Sequence, residues 1–353
     1  GSWWGLQTCP RSIIVVAGDS PADALAATAL SDPTDESTEP YLRRSAASDP
    51  LFDPIGGFNR VDTHNAVILL TQSSRDGAFG LSTPARIAAK DMRRGGCSTA
   101  RQAVIVGGTA AVPASVDEEL VALGYLEVFR VEGLNRYQTA AKVAAALGTS
   151  GVPTGTSQCR DEWSNNASPE TNFYANSVVE WRSSPGSCRL LGNTAVLTDG
   201  IVGADAIAAG WWTSFWQVPV LLHNGRDNLP TATKDALQSL GIENLIVLGG
   251  NQRISGAVAE EARQLSGAKL WRISGADRYE TSIAMARILG GWWPSAGASD
   301  VAGSMLCIAA SDSSGVQAKG WPDALSAGPW CGSASRSVGL SLTPNRHQES
   351  GLS

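Results

Sequence analysis

Signatures of catalysis and of metal binding are scarce in this chain. Its three histidines, His64, His223 and His347, are scattered. None has a cysteine or carboxylate beside it at metal-ligand spacing, which argues against a zinc site. No G-x-S-x-G, H-E-x-x-H or P-loop occurs, so no standard acyl-transfer, metalloprotease or nucleotide signature is present. Lysine is rare, supplying 5 of the 27 basic residues, and the net charge is −6. An acidic chain lacks the basic face that binding to nucleic-acid phosphates requires. No apolar run approaches the roughly 18 residues of a membrane span. These shortages predict no cofactor, no metal, no nucleic acid and no membrane span.

Cysteine is sparing but even in number. The six residues Cys9, Cys97, Cys159, Cys188, Cys307 and Cys331 form no C-x-x-C pair. An even set without metal spacing predicts disulfides and an oxidising compartment. The expected pairs are Cys159–Cys188, Cys307–Cys331 and Cys9–Cys97; buried free thiols are the other reading. Closing the first of these loops is worth about 3 kcal/mol in a chain-entropy model. The rest of the composition is that of a folded protein. At 353 residues, 43% hydrophobic and 17% charged, the chain can bury a sizeable core in two or three domains.

What the chain has in abundance is itself, repeated. Asn135 and Asp277 stand 142 residues apart in NRYQT and DRYET, and Gly107 and Gly249 stand 142 apart in AVIVGG and LIVLGG. A third element occurs three times, as PADALAA at 21–27, GADAIAA at 203–209 and WPDALSA at 321–327. A fourth follows each copy, as AVILLT at 66–71, VPVLLHN at 218–224 and the weaker SVGLSLT at 337–343. Shared offsets across separate motifs mark tandem repeats.

Short β-branched runs alternating with helical patterns read as βαβ units with a parallel sheet. In the first unit strands are expected at 13–17, 67–70, 103–108 and 128–133. Helices are expected from 21, and over 83–92, 115–123 and 136–147. In the second unit the strands are 194–197, 219–222, 245–250 and 270–274, and the helices 204–211, 230–240, 256–265 and 278–289. The right-handed crossover rule gives a doubly wound sheet with helices on both faces. The third unit shows a strand at 305–309, a helix from 322 and a weak strand at 337–343. Residues 1–150 are thus a first repeat with an insertion at 31–65, and 151–192 are a cysteine-bracketed linker. Residues 193–291 are a second repeat and 292–353 an incomplete third. GSWWGL at the start matches GGWWPS at 290–295, which follows an arginine-tyrosine helix; with the incomplete third unit this predicts a window from a longer repeat protein.

Each motif has a plain structural reading. Asp277 with Glu280, and Asn135 with Gln138, have the spacing of a capping box. The exchange of acid for amide between copies suits capping and not a catalytic carboxylate. Tyr137 and Tyr279 are spaced to pack beside their own helices at i, i+4. Arg136 and Arg278 are not explained this way, because the dipole disfavours a cation at a helix N-terminus. Each therefore implies a partner, either an internal carboxylate or a ligand. Asp23, Asp205 and Asp323 fall in a first helical turn, which the dipole favours. They also sit at the carboxyl end of a strand, where open α/β sheets bind ligands. A salt bridge from this Asp to the arginine would account for both. The GG pairs read as tight turns before they read as anion sites.

Taken in order, D-A-L, the leucine pair, I-x-G-G and R-I-x-G-x-D-R-Y-x-T resemble the cell wall binding type 2 repeats of bacterial surface-layer and cell-wall proteins. The resemblance implies tandem Rossmann-like or Toprim-like α/β modules in a pseudo-threefold arrangement. It also implies non-covalent attachment to an anionic, teichoic-acid-like polymer of the Gram-positive wall, outside the cell, with any catalytic or adhesive domain elsewhere in the full-length protein. Carried over by motif, the candidate ligand-binding residues are Arg136, Tyr137, Arg278, Tyr279, Leu69, Leu70, Leu221, Leu222, Asp23, Asp205 and Asp323. Two other functions stay open: an α/β enzyme acting on wall or nucleotide substrates, with unmatched polar groups around His223, and an architectural self-assembly repeat.

Overall fold

The structure is a computed structural model that describes residues 10–19, 21–31, 53–55, 66–94, 100–147, 193–215, 217–225, 227–290, 305–311, 325, 328 and 337–344. The expected disulfides and Asp323 lie outside these residues or rest on partners that do.

The first repeat builds its sheet from β1 (Ser12–Ala17), β3 (Val67–Thr71), β4 (Gln102–Val106) and β5 (Glu127–Val131). All run parallel, in the order β3-β1-β4-β5. Alternation along each strand sends successive side chains to opposite faces. Ile14, Val16, Val104, Val106, Phe129 and Val131 face α1 (Pro21–Thr28) and α4 (Arg136–Leu147). Ile13, Val15, Ile105 and Val128 face α2 (Thr83–Arg94) and α3 (Ser115–Ala122). Both faces are therefore covered, as a parallel sheet of continuous apolar strands demands.

The second repeat reproduces this plan with β6 (Thr194–Asp199), β7 (Val220–His223), β8 (Asn244–Leu248) and β9 (Lys269–Ile273), in the order β7-β6-β8-β9. Its helices are α5 (Ala204–Ile207), α6 (Gly210–Phe215), α7 (Thr231–Ser239), α8 (Gly256–Ser266) and α9 (Arg278–Gly290). A parallel pair, β10 (Met305–Ser311) and β11 (Ser337–Pro344), begins a third unit.

Two features depart from the expected elements. β2 (Asp53–Ile55), inside the 31–65 insertion, adds antiparallel to β5 and covers that edge of the first sheet. The single helix expected at 204–211 is broken into α5 and α6. Between them Ala208 and Ala209 donate to Asp205 and Ala206, the i−3 pattern of a tight 3₁₀ turn.

The repeats are not beads on a string. One apolar core joins the α1 and α4 face of the first sheet to the α6 face of the second, centred on fully buried Trp212. Each arginine-tyrosine helix closes its own unit and packs on the second strand of the next one: α4 against β7, and α9 against β11. Equivalent positions at the ends of the three D-A-L helices also meet. A Cβ on Gly210 would stand 3.5 Å from Gly328 Cα and 3.7 Å from Thr28 Cγ2. Such convergence needs small residues, because three backbones approach one point. Among the described residues no helix is long and apolar enough to cross a membrane.

Candidate functional site

In each sheet the chain reverses direction of winding between its first and third strands, β1/β4 and β6/β8. That switch point, outside the carboxyl ends of the strands, is where open α/β sheets form a crevice. The recurring polar residues gather there. Asp23, on α1 just after β1, is 6% exposed. Gly107 follows β4 with φ +119°, and a Cβ on it would lie 3.3 Å from Asp23 Oδ2. Gly249 follows β8 with φ +121°, and a Cβ there would lie 3.0 Å from Asp205 Oδ2. Glycine is required at both positions, by the left-handed backbone and by the approaching carboxylate.

The charge state of these aspartates follows from their surroundings. Burial raises the Asp23 carboxyl above the ordinary value; the charges of Arg136 and Arg75 and a hydrogen bond with Thr139 oppose it, and Asp19 adds to it. Burial likewise raises Asp205, opposed by a hydrogen bond with Thr281 and by Arg278 and Arg253, with Asp199 adding. Desolvation outweighs the cations in both sites. Each switch point therefore collects two Asp, one Thr and two arginines; Asp23 is buried and Asp205 partly so. Arg75 and Arg253 are each about half exposed, and approach Asp19 at 4.0 Å and Asp199 at 3.8 Å.

The expected salt bridge from Asp23 to Arg136 does not close. Arg136 acts on Asp23 through space, while its Nη1 donates to the carbonyl of Gly200 in the next repeat at 2.7 Å. A backbone carbonyl across the repeat boundary takes the guanidinium instead of the carboxylate. Tyr137 also crosses that boundary. Its Cε1 lies 3.3 Å from where a Cβ on Gly200 would stand, so the ring packs over the glycine, beyond its own helix. Tyr279 packs against the same apolar core.

The capping boxes form, displaced by one residue. Asn135 Oδ1 accepts from the Gln138 amide at 3.0 Å, and Asp277 Oδ1 from the Glu280 amide at 2.9 Å. The reciprocal bonds reach the residue before the cap: Leu134 N–H donates to Gln138 at 2.7 Å, and Ala276 N–H to Glu280 at 2.8 Å. Thr139 and Thr281, unassigned by sequence reasoning, tie this turn to the switch point. Their hydroxyls accept from Gly133 and Gly275 N–H at 3.0 Å each, donate to the Asn135 and Asp277 carbonyls at 3.3 and 2.9 Å, and act to lower the Asp23 and Asp205 carboxyls. The signal was available, since Thr follows Arg-Tyr by two residues in both copies.

The leucine pairs lie elsewhere. Strand alternation sends Leu222 to the shared core and Leu221 to the opposite core of the second sheet, and splits Leu70 and Leu69 in the same way. His223 replaces Thr71 at the end of the second strand and is 1% exposed. Among the described residues no cluster of His, Cys, Asp and Glu could hold a metal ion.

Known proteins share this fold and parts of this sequence. The chain is 26% identical over 216 residues to the N-acetylmuramoyl-L-alanine amidase LytC of Bacillus subtilis (strain 168), a match covering 61% of this chain and 32% of the amidase. It therefore spans about a third of that relative's length. Two solved structures share the fold. Cwp6 from Clostridium difficile superposes with a TM-score of 0.58 at 18% identity, covering 96% of this chain and 38% of that one. Cwp8 from the same organism gives 0.56 at 19%, covering 95% and 40%. The family model for cell wall binding domain 2 (CWB2) matches residues 130–259 and 272–349, more than half of the sequence. The chain belongs to the cell wall binding domain 2 family.

Proposed function

We propose that this chain is a non-catalytic anchoring module that holds a larger protein to the outside of a Gram-positive cell by gripping an anionic, teichoic-acid-like wall polymer. The observation that carries this reading is the twofold recurrence of an arginine pair at the switch points, Arg75 with Arg136 and Arg253 with Arg278, within a cell wall binding family. Guanidinium groups match phosphate and carboxylate oxygens with paired donors. They supply clustered cationic donors on a chain whose net charge is −6. Tyr137 and Tyr279 flank the arginines, and Asp23 and Asp205 set the local charge. The leucine pairs support the strands from which this site is built. His223 is buried, so the enzyme alternative loses the polar group on which it would depend.

The test is co-sedimentation with purified walls before and after extraction of the anionic polymer. Binding should be lost on extraction and weakened by salt, because exposed charge pairs are screened within about 10 Å at 0.1 M salt. Equal binding to extracted walls would remove the polymer from the proposal. Release of sugar or peptide from those walls by the chain alone would remove its non-catalytic character.

A further inference from the structure

Arg272 sits on β9 at 2% exposure. Its Nη1 donates to the Gly249 carbonyl at 2.7 Å. Its Nε and Nη2 are buried and have no hydrogen-bond partner. No carboxylate among the described residues lies within ion-pair distance, and burial alone depresses its proton affinity. Losing the proton is no escape, since a guanidinium stays charged in proteins. A buried cation with unmet donors and no counter-charge is heavily penalised.

The first repeat contains the same device with its counter-charge in place. Arg130, 142 residues earlier, donates from Nη1 to the Gly107 carbonyl at 2.9 Å. Its Nε and Nη2, the two groups left unmet on Arg272, both reach the carboxylate of Asp117 on α3. The residue 142 positions after Asp117 is Ala259 on α8, fully buried. The second repeat has kept the arginine and the glycine carbonyl and has lost the acid.

We propose that the second repeat binds a small monovalent anion, chloride or a one-carbon carboxylate, between Arg272 and Ala259, in the place that Asp117 takes in the first. The size follows from the replacement, because Asp and Ala differ by one carboxylate group. The class follows from the donors, because Nε and Nη2 of one guanidinium form a coplanar fork for a single acceptor group. A polymer phosphate is too large to reach a guanidinium so deeply covered. The site therefore stands independently of wall binding.

The experiment is thermal unfolding of the whole chain in sodium gluconate, with chloride or formate replacing gluconate at constant ionic strength. The melting temperature should rise by about 2 °C for each tenfold increase in the small anion above its dissociation constant. The Ala259→Asp variant should lose this response and melt above the wild type in gluconate. Equal responses of the variant and the wild type, or equal effects of chloride, formate and gluconate, overturn the proposal. Crystals of the unaltered chain soaked in bromide provide a readout that does not depend on the variant folding. An anomalous peak within hydrogen-bond reach of Arg272 Nε and Nη2 is expected, and ordered density without one overturns the site.

Discussion

Replacing Arg136 with methionine separates the structural from the ligand-binding role of the arginine-tyrosine helix. Methionine keeps the aliphatic stem and removes the donor to Gly200, a 2.7 Å bond that spans two repeats. A hydrogen bond from a charged donor contributes about 1.5–3 kcal/mol. This one is half-buried, so a loss of about 1–2 kcal/mol is expected. The loss should depend on pH. Arg136 is the foremost cation opposing the burial of Asp23, so its removal raises that carboxyl further. The ionised form then costs more in the folded state. The deficit of the variant is thus larger at pH 7 than below about pH 3, where the carboxyl is protonated in folded and unfolded chains alike. Urea unfolding followed by the fluorescence of buried Trp211 and Trp212 reports this, because both belong to the core shared across the boundary. A deficit under about 0.3 kcal/mol, or one independent of pH, would refute the structural account. Weakened wall binding by a variant of unchanged stability would then assign the guanidinium to the polymer.

Asp205 gives a second pH test, with its sign fixed by a raised carboxyl. The folded chain holds that proton to higher pH than the unfolded one, so the associated stability is full in acid and lost as pH rises through the raised value. Asp205→Asn should therefore unfold at higher urea than the wild type at pH 7, with the gap closing as pH falls toward 4; a gap that widens in acid would be the wrong sign. Gly275→Ala tests the turn before α9. A Cβ there would lie 2.3 Å from Glu280 Cβ and 2.5 Å from the Thr281 amide nitrogen, so the helix start must move. A loss of about 3 kcal/mol is expected in denaturant unfolding, and one below about 1 kcal/mol would mean the turn is soft.

The repeat units were legible because their signals are local. β-branched strands, glycine turns and caps act over a few residues, and two copies 142 apart confirm each other. On that basis α4, expected over 136–147, begins and ends where the motif says. The insertion strand β2 carried no such signal. Three residues, two of them Asp and Pro, have no strand preference of their own, and only the open edge of β5 makes them one. The destination of Arg136 was hidden for a different reason. Its acceptor is a backbone carbonyl 64 residues away, and a carbonyl has no side-chain identity to leave in a sequence. The most obvious carboxylate, Asp23, was therefore the natural choice, and it lies close enough to feel the charge without making the bond. The same logic explains why the motif is worth repeating. A helix that only completed its own sheet would need capping and an apolar face. One that also docks on the next sheet needs an element that reads any neighbour of the same fold, and a guanidinium meeting a backbone carbonyl over a glycine does so without requiring a matched side chain. Tandem copies can then diverge in sequence, as Thr71 and His223 have, while the junction between them is preserved.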